Sequence, residues 1–224
     1  MPIDVLWFRV PRAKSDPGQI LGRFARGKIM VMLDRNDYWQ CAYLIAKDGY
    51  ETIRQNGIEK FRDDVVAVAP FLADRKNEIK GWNDIKLLSV DIDHLEKWYT
   101  HGLLCIGDSA HAMSPIGGVG INLAIQDAVA AANILYKPLK GQTVIGTDVL
   151  RAVQRRRAFP ARVIQQLQIF IQNKVFRKRM SANGQLNPPV FFAFLNKFPL
   201  LQRLPARLLG MGVRVEHVRT PEIQ

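Results

Sequence analysis

The sequence predicts a mixed α+β to α/β chain, and three observations carry that reading. β-forming residues crowd the first 46 positions, where a polar turn separates two of the runs. A short, wholly apolar run at 103–106 is followed by a glycine-containing loop and an alanine-rich segment, in the order strand, loop, helix. From residue 147 onward a basic amphipathic pattern at helical spacing takes over.

Taken in order, residues 3–10 are rich in β-formers and stop at Pro11. The runs 28–33 and 38–46 flank Asp34, Arg35, Asn36 and Asp37, as the arms of a hairpin would. Along the second arm Trp39, Cys41, Tyr43 and Ile45 share one face of the pleat, bulky enough to be core. Tyr38, Gln40, Ala42 and Leu44 share the other. Residues 49–70 carry Tyr50, Ile53, Ile58, Phe61 and Val65 at roughly helical spacing, with Gly57 as a break. Residues 85–92 return to strand. The run 103–106 reads as a strand buried on both faces, ended by Gly107 and Asp108. Residues 122–135 read as a helix whose composition implies burial on most sides. Gly141 and Gly146 make a hinge before a long basic helix that starts at Thr147 or Asp148, and Pro160 is expected to kink or restart it. Beyond Ser181 five prolines (Pro188, Pro189, Pro199, Pro205, Pro221) predict short helical turns. The division expected is therefore 1–100, 101–140 and 141–224.

Composition bounds the function. With 224 residues, 48% hydrophobic and 23% charged, the chain has globular proportions, which excludes wholesale disorder, a collagen-like repeat and a coiled-coil rod. Cys41 and Cys105 form no metal-like or redox-like pair, and their usage suits a reducing cytosol. The formal charge of +12 is uneven: 13 of the 32 Lys and Arg fall at 149–215, where there is no Asp or Glu, leaving 19 basic residues against all 20 acidic ones elsewhere. That distribution argues against a uniformly cationic nucleic-acid binder. The opening residues offer neither a basic leader nor an apolar signal core, so a signal peptide is not expected. Apolar stretches such as 190–195 fall short of the roughly 20 residues that cross a bilayer. A cytoplasmic protein is expected, with peripheral membrane contact open around 191–209.

Chemistry concentrates at 107–122. Gly117, Gly118 and Gly120 leave backbone N–H groups unobstructed, and the helix start beyond them adds unpaired donors and the positive end of a dipole. Such a place binds an anion or a polarised carbonyl edge. Asp108, just past a strand's carboxyl end, suits a sugar or sugar-alcohol hydroxyl. Other sites fail on inspection. The position two after Ser109 is His111, so there is no nucleophile elbow. No Lys follows the glycines, so there is no P-loop. His94, His101, His111 and His217 have no metal-ligand spacing.

The segment resembles the second flavin-binding motif of the aromatic-hydroxylase (p-hydroxybenzoate hydroxylase-like) class of FAD-dependent monooxygenases, G-D-[AS]-A-H-x-x-x-P-x-x-G-x-G-x-N followed by a helix with D-A. Gly107, Asp108, Ser109, Ala110, His111, Pro115, Gly118, Gly120 and Asn122 fall in place, as do Asp127 and Ala128. The sheet at 3–45 is similar to the family's substrate-domain sheet, and 154–160 to its basic helix. The resemblance implies FAD as cofactor. Asp108 would hold the ribityl chain, Pro115 would lie beside the flavin ring, and Gly117, Gly118, Gly120, Ile121 and Asn122 would offer N–H groups to the pyrimidine edge. It also implies reduction by NADH or NADPH, reaction with O2, and hydroxylation of a small, aromatic substrate, with no catalytic side chain and no metal required. Tyr38 and Gln40 are pocket candidates, with ordinary sheet surface as the competing reading.

The family's N-terminal βαβ unit with G-x-G-x-x-G is missing from this sequence, as is its Asp-Gly motif. The expected fold is thus a partial flavoprotein monooxygenase: a mixed antiparallel substrate-domain sheet plus the last strand and helices of an FAD-binding domain, a C-terminal half that a complementary N-terminal chain could complete. Two alternatives stand beside it. One is an inactive remnant that binds no FAD. The other is a module that uses Arg155, Arg156, Arg157, Lys174, Arg177, Lys178 and Arg179 on an anionic membrane or nucleic acid.

Overall fold

Two units make up the chain in the computed structural model, which describes residues 3–18, 21–25, 27–141, 144–173, 207–208 and 210–221. Of these, 3–90 and 171–173 belong to the first unit, and 91–170 and 207–221 to the second. The helical turns expected beyond Ser181, the cations Lys174, Arg177, Lys178 and Arg179 and most of the 191–209 stretch lie outside the described residues.

The first unit is an antiparallel sheet of β1 (Ile3–Pro11), β2 (Leu21–Ala25), β3 (Lys28–Asp34), β4 (Tyr38–Ala46) and β5 (Lys86–Leu88), in the order β2-β3-β4-β1-β5. The β3–β4 hairpin turns where expected. Arg35 N–H donates to the Tyr38 carbonyl, and Asn36 takes a φ of 67°, a left-handed conformation that Asn tolerates. The register Pro11↔Tyr38 to Ile3↔Ala46 aligns the alternation of β1 with that of β4. Leu6, Phe8, Val10, Met30, Met32, Trp39, Cys41, Tyr43 and Ile45 therefore share one buried face, as the pleat predicted for the second arm.

The helices α1 (Tyr50–Gln55) and α2 (Ile58–Val68) cover that face, separated at Gly57, whose φ of 85° stops the first and starts the second. Phe61 of α2 is the hub, edge-on to Phe8 at 5.4 Å and Tyr43 at 5.5 Å and tilted against Trp82 at 5.8 Å. β2 was not individually legible: Gly22 and Arg23 break its apolar pattern, and it exists because its backbone pairs with β3 from Leu21↔Met32 to Ala25↔Lys28. The strand expected at 85–92 is cut to three residues. Val90 N–H turns away to the Asp4 carboxylate instead of continuing the ladder.

The second unit has little sheet. β6 (Asp93–His94) pairs with β9 (His111–Ala112), and β7 (Tyr99–Thr100) with β8 (Leu103–Leu104). The apolar run at 103–106 is therefore not a strand buried on both faces: only two of its residues pair, and Leu103 is 56% exposed. An apolar run supplies the demand for cover, and the described residues do not meet it there. Likewise α3 (Gly120–Lys140) is buried along one stripe, Leu123, Gln126, Asp127, Ala130 and Ala131, rather than on most sides. Ile121 and Ile125 stand 67% and 56% exposed.

The long helix α4 (Thr147–Ile171) starts as expected and runs through Pro160 without a second start. Pro160 lies on the buried stripe with Leu150, Val153, Arg157, Ala161 and Ile164, and that packing carries the helix past the lost hydrogen bond. α4 also satisfies the irregular 93–114 backbone. Gln165 donates to the carbonyls of Asp93 and Ala112, Gln168 exchanges bonds with Ser114, and Gln154 donates to Glu96 and accepts from Trp98 N–H.

In the first unit Asp4 is the polar anchor. Buried in β1, it accepts N–H bonds from Asp48 and Val90, both at 3.0 Å, and pairs with Lys47 at 3.2 Å. Burial alone would raise its carboxyl, but those N–H groups and the Lys47 ammonium overcome it and hold it below the ordinary carboxylate range. A depressed folded value means stability that is present above the unfolded value of about 4 and lost as pH falls through the folded one. Asp4→Asn is expected to lose about 1–3 kcal/mol at pH 7, with the deficit against wild type shrinking at pH 3, as read by urea unfolding at both values.

Candidate functional site

The site begins with a turn that strongly favours glycine. Gly107 opens a 3₁₀ turn, Gly107–Ser109, at φ 60°, and a Cβ placed on it would lie 2.9 Å from the Cβ of Ala124 in α3. Ala110 N–H closes the turn on the Gly107 carbonyl at 2.9 Å, and Ser109 Oγ donates back to Ile106 at 2.8 Å. Asp108 is thereby lifted into solvent at the turn's outer position. Its Oδ1 is 3.8 Å from where a Cβ on Gly120 would stand, so the carboxylate overlooks the first residue of α3.

The chain then passes through His111 and Ala112 of β9 to Pro115, which is exposed, and a second turn, Ile116–Gly118. Gly117 and Gly118 take φ values of 82° and 61°, and no atom lies within 4 Å of the position a Gly118 Cβ would occupy. Val119 is buried and offers α3 no side-chain cap. The first helical bond runs from Leu123 N–H to the Val119 carbonyl, so the N–H groups of Gly120, Ile121 and Asn122 have no partner within the helix. They stand at the positive end of a 21-residue helix. The Asn122 side chain turns elsewhere, donating from Nδ2 to the Gly210 carbonyl at 2.8 Å.

The structure thus brings Gly107, Asp108, Pro115, Gly117, Gly118, Gly120, Ile121 and Asn122 into one turn–loop–helix start within the second unit. Tyr38 and Gln40 belong to the first unit. There they line a depression of about 700 Å³ on the outward side of the sheet with Trp7, Arg9 and Lys86. Arg9 stacks its guanidinium 5.0 Å from the Tyr38 ring centre, and Arg35 Nε donates to Gln40 Oε1 at 3.0 Å.

Beneath the loop lies an arrangement that the sequence did not reveal as a unit. Asp127 is fully buried in α3 and accepts from Gly107 N–H at 3.0 Å, His111 Nε2 at 2.5 Å and Arg157 Nε at 2.8 Å. Burial by itself would raise this carboxyl, and the bonds from His111, Arg157 and Gly107 more than offset it, holding the group below the usual carboxylate range. An ionised carboxylate only accepts, so His111 carries a proton on Nε2. The available signal was the single acid of the helix, at a motif position. Arg157, which the basic-surface alternative counts among its exposed cations, is fully buried, and Arg156 pairs with Glu216 at 2.5 Å.

An exposed carboxylate beside bare backbone donors at a helix N-terminus suits a ligand that carries both hydroxyls and an electron-rich carbonyl edge. The polyol chain and pyrimidine edge of a flavin meet both requirements. A family model described as an FAD binding domain matches residues 1–167, and the chain belongs to that family, with FAD as its cofactor. Over 155 residues it is 34% identical to a 6-methylpretetramide 4-monooxygenase of Streptomyces rimosus, covering 69% of this chain and 37% of that enzyme. It is 30% identical over 118 residues to the FAD-dependent monooxygenase atmM of Aspergillus flavus, covering 52% of this chain and 24% of the relative. Among solved structures, PqsL of P. aeruginosa in complex with 2-aminobenzoylacetate superposes with a TM-score of 0.64 at 20% identity, over 80% of this chain and 50% of PqsL, a likeness of fold. The chain thus matches well under half the length of these curated relatives and half of that solved chain. No helix among the described residues is long and apolar enough to cross a membrane.

Gly107 and Gly118 share a φ near 60° but differ in surroundings. Gly118→Ala is expected to lose about 1–2 kcal/mol from backbone conformation alone. Gly107→Ala should lose more, because its Cβ also meets Ala124. Chemical unfolding of the two variants side by side measures the difference.

Proposed function

We propose that this chain forms the C-terminal half of an NAD(P)H- and O2-dependent FAD monooxygenase of the aromatic-hydroxylase, p-hydroxybenzoate hydroxylase-like type. A G-x-G-x-x-G-bearing segment or chain would complete it. The observation that carries this reading is the uncapped N-terminus of α3 beside the exposed Asp108 carboxylate and the Gly117–Gly118 turn. On this reading Asp108 accepts from the ribityl hydroxyls, and Pro115 flanks the ring. The N–H groups of Gly117, Gly120, Ile121 and Asn122 meet the pyrimidine edge, whereas Gly118 N–H, expected to join them, closes its own turn on the Pro115 carbonyl at 3.1 Å. FAD, when bound, supplies the redox and oxygen chemistry. The chain's own part is orientation and electrostatics. Helix-terminal donors favour negative charge at the pyrimidine edge by about 0.3–1 kcal/mol, more where water is excluded.

The depression with Tyr38 and Gln40 is the proposed substrate side. The rings of Trp7 and Tyr38 suit an aromatic or polycyclic compound, and the charged groups of both signs around them, Arg9 and Lys86 beside Asp37, Glu78 and Asp84, suit its hydroxyls. Support comes from one relative named for 6-methylpretetramide and one fold neighbour holding 2-aminobenzoylacetate. NADH or NADPH would serve as transient reductant, and a cytoplasmic location fits that supply.

The test is FAD titration of the purified chain, alone and co-expressed with a Rossmann-bearing partner, followed by flavin absorbance and fluorescence. A retained, spectrally perturbed flavin is expected in at least one preparation. Asp108→Ala should weaken it by about tenfold, the loss of a charge-assisted hydrogen bond. Colourless protein in both preparations would sink the proposal.

A further inference from the structure

The C-terminal segment is tied to the loop it never touches in sequence. Within 207–221, Gly210 accepts from Asn122 Nδ2 at 2.8 Å and Met211 from Gln126 Nε2 at 2.7 Å. His217 accepts from Asn133 Nδ2 at 2.8 Å, and Arg219 N–H donates to Asn133 Oδ1 at 2.8 Å. Contacts at 210, 211, 217 and 219 meet α3 at 122, 126 and 133 in the same order, so the segment runs alongside the helix from its first turn. It grips α4 as well. Arg214 takes a φ of 56°, unusual for a non-glycine, and its carbonyl accepts from Arg157 Nη1 at 3.1 Å. Glu216 pairs with Arg156 at 2.5 Å and lies 3.7 Å from Arg157.

Arg157 is the junction. One side of its guanidinium holds Asp127, whose other oxygen holds Gly107 N–H and His111; the opposite side is held by the Arg214 carbonyl and Glu216. A buried Arg has no water to replace a lost partner, so freeing it from 214 and 216 loosens its hold on Asp127. We propose that residues 210–221 are a positioning strap for the loop 107–118, acting through Arg157 and Asp127 and through Asn122 at the head of α3. Residues 210–221 lie beyond the 1–167 span of the family match, so this role is additional to the family's motif. That the ordered loop favours FAD rests on the functional reading above; that the strap orders the loop does not.

The experiment is backbone amide hydrogen exchange on the full chain without FAD. It compares wild type, Glu216→Gln and a chain ending at 206. Peptides covering 106–119 are expected to exchange about tenfold faster in the shortened chain and by a smaller factor in Glu216→Gln. Peptides of the sheet at 29–46 and of α4 ahead of Arg157 should be unchanged. Unchanged 106–119 exchange in both variants overturns the proposal. So does a rise spread evenly over α3 and α4, which would make the segment a general stabiliser. If the shortened chain does not fold, Glu216→Gln decides alone. FAD titration of the same proteins forms the second arm, where weakening in parallel with loop exchange is expected. A wild type that takes no FAD, even with a Rossmann-bearing partner, counts against the functional reading and leaves the exchange result to judge the strap.

Discussion

One buried carboxylate organises the second unit. Asp127 sits in α3 without solvent, and an unpartnered anion there would be prohibitively unfavourable. Its partners come from three other places in the chain: the Gly107 turn, the β9 residue His111 and the α4 residue Arg157. Each is held at hydrogen-bond distance from one small group, so the turn, the ribbon and the two long helices cannot be arranged independently. Removing a single partner from such a cluster leaves charge buried and typically costs about 3–5 kcal/mol, more than the intact cluster contributes over an apolar replacement. The arrangement therefore specifies geometry more than it adds stability. The geometry it specifies is the placement of Asp108 and the glycine loop above it.

The two units satisfy their backbones by opposite means. In the first, ladder bonds between long strands pair the main chain of the sheet, and side chains are left to fill the core around Phe61. In the second, strands of two residues cannot do this. The amide side chains of Gln154, Gln165 and Gln168 take over from the rigid support of α4: Gln154 and Gln168 each donate to and accept from the 93–114 backbone, and Gln165 donates to two of its carbonyls. A helix acts here as the edge partner that a strand would otherwise be.

The same contrast decides what could be read from the sequence. Where one residue's environment is set by its near neighbours, the reading held: the core face of Trp39, Cys41, Tyr43 and Ile45, the break at Gly57, the hairpin turn and the start of α4. Long-range pairing was invisible. β2 has no periodicity of its own, and the strand expected at 85–92 is shortened by an acid more than 80 residues away. Leu103 and α3 carry apolar faces whose cover no local pattern specifies. The loop's glycines were legible because positive φ leaves a residue-type signature. The network beneath them was not, because Asp127, His111 and Arg157 meet only in three dimensions, and an Arg in a basic run looks like surface until its partner is known.

Trp98 gives this network an optical consequence. The chain has four tryptophans, of which Trp7, Trp39 and Trp82 fall in the first unit and only Trp98 in the second. Trp98 is buried, with its ring 5.1 Å from that of His111 and tilted by 44°. An indole packed on an imidazole is sensitive to the position of that ring. With Trp7, Trp39 and Trp82 replaced by Phe, the emission of Trp98 would therefore read the arrangement around His111 and Asp127 from inside the protein, without an added label.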